Sequence, residues 1–131
     1  MKTIISFTSV LLFFIANLNL DGEYSEANPQ ELIGTWKLDM TPHKPDDDQF
    51  AMMEIVKIKD NEFKGTFYRE GVKIQNGQLN SLTGRVYGAL VSSDNSGSYN
   101  SSFYLEDGKL YGSTHAIDRN FLSVWVASKV E

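Results

Sequence analysis

From Leu32 to Lys129 apolar and polar positions alternate in short runs, and no stretch keeps the 3.6-residue period of a helix. The runs recur about every ten residues between turn signals, a spacing that predicts an all-β meander. The pattern places strands at 32–40, 50–59, 62–69, 72–81, 84–93, 97–105, 109–117 and 121–129. Asp60-Asn61, Glu70-Gly71, the run DNSG at 94–97, Asp107-Gly108 and Arg119-Asn120 join them, and Asn and Gly tolerate the positive φ of hairpin turns.

A two-residue turn fixes which residues face each other, so register gives a check that composition cannot. Around Asp60-Asn61 one face then carries Ile58 with Phe63, Val56 with Gly65, Glu54 with Phe67 and Met52 with Arg69. The other face carries Lys59, Glu62, Lys57 and Lys64, so the first is expected inside. Around Asp107-Gly108 the same arithmetic sets Leu105 against Leu110, Phe103 against Gly112, Ser101 against Thr114 and Tyr99 against Ala116. A glycine bulge at Asn76-Gly77 would turn Leu79 inward after Val72 and Ile74. The last strand stays ambiguous, because Phe121, Trp125 and Ala127 form one apolar face and Leu122, Val124 and Val126 the other.

Eight antiparallel strands without a covering helix leave two open edges unless the first pairs with the last, and closure removes both. The expected fold is therefore an eight-stranded antiparallel up-and-down β-barrel, with a β-sandwich as the alternative.

Composition narrows the class. A chain of 131 residues with no cysteine has one domain, no disulfides, no thiolate metal site and no cysteine nucleophile. Residues 1–27 read as a signal peptide: one lysine precedes the run IISFTSVLLFFIANLNL, and Ser25-Glu26-Ala27 gives the small-x-small pattern of a signal peptidase site. A membrane anchor is the competing reading, opposed by the polar residues Ser6, Thr8, Ser9, Asn17 and Asn19 and by the lack of a following basic cluster. The expected location is secreted or periplasmic, with residues 28–131 as the mature domain and no stable membrane insertion. Cleavage after Ala27 leaves 11 basic and 14 acidic residues, so the net charge goes from -5 to 11 - 14 = -3. No basic stripe is left to follow a phosphate backbone, so nucleic acid is not an expected partner.

Gly34-Thr35-Trp36, opening the first strand of an eight-stranded exported meander, resembles the signature of lipocalins and the wider calycin group. In that group the glycine and tryptophan close the barrel base, and a basic residue near the last strand covers the indole. The resemblance gives Gly34 and Trp36 that role, with Lys129 or Arg119 as the cover. It also implies a small-molecule cavity, bordered by the loop 41–49 as a lid.

The interior decides what such a barrel holds, since eight strands leave room either for side chains alone or for one small ligand. Phe67, Tyr99 and Phe103 are expected as apolar walls, with Glu54 and Arg69 as inward charges close enough to pair or to anchor a polar group. The leading reading is a carrier of one small, mostly apolar or amphipathic molecule. A self-filled barrel that binds a protein, and a calycin-type enzyme using Glu54, are the alternatives. No Ser/His/acid triad, metal-spaced cluster or phosphate loop marks the sequence, so no catalytic residue, metal or cofactor is assigned. His43 and Asp46 to Asp48 read as a solvated acidic loop, and His115 as outward-facing.

Overall fold

The computed structural model describes residues 27–130. The expected signal segment, apart from Ala27, lies outside the described residues. Eight antiparallel strands close into a barrel in sequence order: β1 (Gly34–Asp39), β2 (Phe50–Lys59), β3 (Glu62–Tyr68), β4 (Gln75–Asn80), β5 (Tyr87–Asp94), β6 (Gly97–Glu106), β7 (Lys109–Ala116) and β8 (Phe121–Lys129). Closure runs through β1 and β8, with Trp36 opposite Lys129 and Leu38 opposite Ala127. The up-and-down order puts the loops 40–49, 69–74, 95–96 and 117–120 at one end, called here the mouth. The base carries the other turns and a short 3-10 helix, Pro29–Leu32, capped by the Asn28 side chain.

The base is closed by Trp36. Its indole is buried, donates from Nε1 to the Leu32 carbonyl at 2.9 Å, and lies beneath the Lys129 ammonium at 5.6 Å from the ring centroid. Lys129 Nζ also donates to the Glu31 carbonyl at 2.7 Å, tying the last strand to the entry helix. A cation over the indole face is attracted by the ring quadrupole. Of the two basic residues considered for this position, Lys129 occupies it.

The register matches expectation at one hairpin and departs from it at the other. Across Asp107-Gly108, Leu105 faces Leu110, Phe103 faces Gly112, Ser101 faces Thr114 and Tyr99 faces Ala116, all as the turn arithmetic requires. Across Asp60-Asn61, Lys59 faces Glu62 and Ile58 faces Phe63, but a bulge at Val56 then shifts the ladder by one residue. Beyond it Ile55 faces Gly65, Met53 faces Phe67 and Glu54 faces Thr66. Because the side-chain period is two, the shift turns Met53 and Ile55 inward and Glu54, Val56 and Met52 outward. The expected inward Glu54 is thus corrected: its carboxylate is on the exposed outer wall and does not meet Arg69.

The second bulge is where the sequence puts it. Asn76 adopts φ +50°, the β4–β5 ladder shifts between Gln75 and Gln78, and Leu79 ends buried. In β8 the ambiguity resolves toward Trp125 and Ala127 inside, with Leu122 and Val124 exposed. Phe121 shares the inward parity but is 56 % exposed, since it begins the strand at the mouth beyond the packed wall.

Candidate binding site

The interior is built from rings set against glycines. Phe103 faces Gly88 and Gly112 across its two neighbouring strands, and Trp125 faces Gly112. A Cβ at Gly88 would come within 2.3 Å of the Phe103 ring, and one at Gly112 within 2.4 Å of the Trp125 ring. These glycines therefore provide the space the rings occupy and are not a free floor for a guest. The rings then meet each other: Phe63 and Phe103 at 5.9 Å, Phe67 and Trp125 at 6.0 Å, and Phe103 and Trp125 at 6.3 Å between centroids. Such tilted and edge-on contacts are the favoured arrangements of aromatic pairs. Above them Trp125 Nε1 donates to Thr114 Oγ1 at 3.0 Å, and Thr114 shares a 2.8 Å hydrogen bond with Ser101, so the polar atoms of this layer satisfy one another.

The mouth is occupied by a cluster around Asp94, the last residue of β5. Tyr68 donates its hydroxyl to Asp94 Oδ2, Tyr99 donates to Oδ1 at 3.2 Å, Ser96 N donates to Oδ1 at 2.8 Å, and the Arg69 guanidinium lies 3.6 Å away. Arg69 has 61 % of its side chain exposed, so it reaches water beyond the mouth and takes Asp94, not Glu54, as its partner. Tyr68 reaches the cluster from a left-handed backbone conformation, φ +61°, which a bulky residue holds only where its surroundings fix it. Its ring packs on Phe67 and Tyr99, at 6.1 and 5.6 Å between centroids. One polar atom behind the cluster is left over: the Ser92 hydroxyl is fully buried and has no hydrogen-bond partner among the described residues.

These contacts set the ionisation of the cluster. Burial and then the hydrogen bond to Asp94 raise the Tyr68 phenol from 10.0 to about 12. The Tyr68 hydrogen bond, followed by those from Ser96 and Tyr99 and by the Arg69 charge, holds the Asp94 carboxyl below its usual range against the opposing effect of burial. A phenol raised by folding contributes stability in full below about pH 10 and loses it as pH rises toward 12, whereas a depressed carboxyl loses its contribution as pH falls through the acid range. In a spectroscopic titration of phenolate absorbance, Tyr68 is expected to give a step at about pH 12. Asp94→Asn should bring that step downward, though not fully to 10, because burial remains. A titration unchanged by Asp94→Asn would contradict the hydrogen bond.

A third feature lies on the outside of the wall. Asn80, Tyr87, Tyr104, Tyr111 and Val126 stand side by side across β4 to β8, and the next outward row is Gln78, Ala89, Ser102, Ser113 and Val124. Tall rings thus stand along a floor of mostly small side chains, and an open channel of about 890 Å³ follows the step between them. Tyr104 and Tyr111 stack at 5.3 Å with their planes 19° apart, and Tyr87 packs on Tyr104 at 6.0 Å. Arg85 lies 4.6 Å from the Tyr104 ring centroid and pairs with Glu106 at 2.7 Å, bracing the ladder. The sequence held a signal for it: the Asp107-Gly108 turn that sets Leu105 against Leu110 also sets Tyr104 against Tyr111 on the opposite face.

Of the residues the sequence singled out, Phe67 and Phe103 are core rings, Tyr99 and Arg69 belong to the mouth, and Glu54 is on the outer wall between Thr35 and Thr66. Gly34 and Trp36 are at the base. The first three groups are not brought together in one pocket. No family model matches the chain, and no curated protein and no solved structure is significantly similar to it.

Proposed function

We propose that this chain is an exported, lipocalin-like barrel whose interior is its own core and whose binding surface is external. The interlock of Phe103 and Trp125 with Gly88 and Gly112 is the observation that carries this reading, because it fills the space a carrier would keep for its ligand. The Gly34-Thr35-Trp36 motif with Lys129 over the indole supports the kinship, and the outer channel supplies a concave surface that a small barrel of this kind does not need for stability. Export rests on the sequence pattern of residues 1–27.

A fluorescent fatty-acid analogue titrated into the folded protein tests the point. No saturable one-to-one binding is expected. A one-to-one isotherm that Ser101→Phe abolishes would return the ligand to the interior.

The second reading, a carrier of an apolar molecule gated at the mouth, is favoured by one observation: the partnerless Ser92 hydroxyl behind the Tyr68–Asp94–Tyr99 cluster. A buried hydroxyl without a partner is costly, and a guest that bonded it would remove that cost.

A further inference from the structure

We propose that the outer channel beside the tyrosine ladder binds a linear, uncharged oligosaccharide; this rests on the reading that binding is external. The shape comes first. The channel crosses five strands, four interstrand steps of about 4.8 Å, so it is about 19 Å long and open along its length. An extended chain fits such a trough, whereas a compact molecule would leave most of it in water.

The chemistry of the lining excludes most extended chains. All sixteen described residues that line the channel are uncharged, in a protein of which 22 % is charged. The nearest ion pair, Arg85 with Glu106, neutralises itself at 2.7 Å. A polyanion or polycation would give up water here for no opposite charge, and an anion would also meet the net negative charge of the protein.

An alkyl chain is excluded for the opposite reason. It would cover the hydroxyls of Ser102 and Ser113 and the amides of Gln78, Asn80 and Asn61 without bonding them, and covered polar groups left unpaired cost free energy. A peptide strand needs backbone donors and acceptors along a sheet edge. The strands beneath the channel from β5 to β8 are each paired on both sides, and the channel runs across them instead of along one edge.

A neutral oligosaccharide meets each of these conditions. Its hydroxyls donate and accept, so they match serine hydroxyls and side-chain amides that do both. Its C–H surfaces pack on the apolar bodies of tyrosines while the phenol oxygens stay at the wet rim. Tyr104 is already stacked on Tyr111 on one side and held by Arg85, so the wall is set before any ligand arrives and little side-chain freedom is lost on binding.

The test uses the intact exported protein with a panel of linear hexasaccharides: a β-linked glucan, an α-linked glucan and an N-acetylglucosamine oligomer. Oligogalacturonate serves as the charged control and an uncharged extended peptide as the polymer control. Calorimetry with backbone amide shift mapping is expected to find at least one neutral hexasaccharide that perturbs Ser102, Ser113 and the tyrosine ladder, with neither control bound there. Ser102→Lys, on the exposed floor, should weaken that binding at least tenfold while leaving the melting temperature in place. Tyr111→Ala should weaken it as well, and Tyr111→Phe less. Failure of every neutral hexasaccharide, or binding that Ser102→Lys does not change, overturns the proposal. Saturable binding of the peptide in the channel overturns the oligosaccharide but leaves external binding standing, whereas a fatty-acid analogue held inside the barrel overturns the reading beneath it.

Discussion

Adding one methyl group at Gly65 is expected to destabilise the barrel by about 3 kcal/mol or more, beyond the usual range for overpacking. Gly65 faces Ile55 just beside the bulge at Val56, where the β2–β3 ladder shifts register. A Cβ there would lie 1.7 Å from the Glu54 carbonyl oxygen and 2.8 Å from its carbon. Both are backbone atoms, so no rotamer change relieves the overlap and the bulge itself must move. Gly108→Ala is the contrasting control. Its φ of +75° is strained for alanine, but nothing lies within 4 Å of the added carbon, so the cost should stay near the 1 to 2 kcal/mol of a left-handed residue. Denaturant unfolding of both variants measures the difference. A Gly65→Ala loss no greater than that of Gly108→Ala would mean that the close approach of the Glu54 backbone to Gly65 does not exist.

Trp125→Ala is expected to cost about 3 to 5 kcal/mol, the range for removing a large buried aromatic side chain. The side chain is fully buried, touches the rings of Phe67 and Phe103, fills the space above Gly112 and donates to Thr114. Its removal leaves an apolar cavity whose walls are rings on several strands, which cannot all collapse inward while the closed ladder holds. Trp125→Phe separates the contributions. It keeps most of the apolar volume and loses the hydrogen bond, so about 1 to 2 kcal/mol should go with it. An alanine variant as stable as the phenylalanine one would show that the ring is not packed.

Much of this architecture was legible in the sequence because one periodicity and one turn length carried it. Alternation of period two marked the strands, and two-residue turns fixed the register, so the Asp107-Gly108 hairpin and the Asn76-Gly77 bulge follow directly from the residues. The bulge at Val56 did not, and its consequences spread along β2. Val56 is β-branched and exposed, a normal strand residue with no glycine or asparagine to mark an extra position. One such residue was enough to move Glu54 from the core to the outer wall.

The inside of β8 was undecided for a related reason. Both of its faces are apolar, and only the neighbouring strand selects between them: Gly112 on β7 leaves room for Trp125, and the opposite face carries no comparable gap. The partner of Arg69 was equally out of reach. Asp94 lies 25 positions away at the end of β5, and only the folded mouth brings the two to 3.6 Å. The tyrosine ladder was within reach of the same turn arithmetic, but exposed aromatics on a wet face draw no notice until the small residues beside them are seen to form a floor.

Whether the barrel is full is most directly measured by xenon. In crystals of the protein pressurised with the gas, an apolar void of more than a few atoms shows as a bound xenon atom, because such voids stay dry and accept nonpolar guests. The wild-type interior is expected to hold none, and Trp125→Ala to hold one between Phe67, Phe103 and Gly112. A xenon atom inside the wild-type ring cluster would contradict the filled core and return the barrel to the class of carriers.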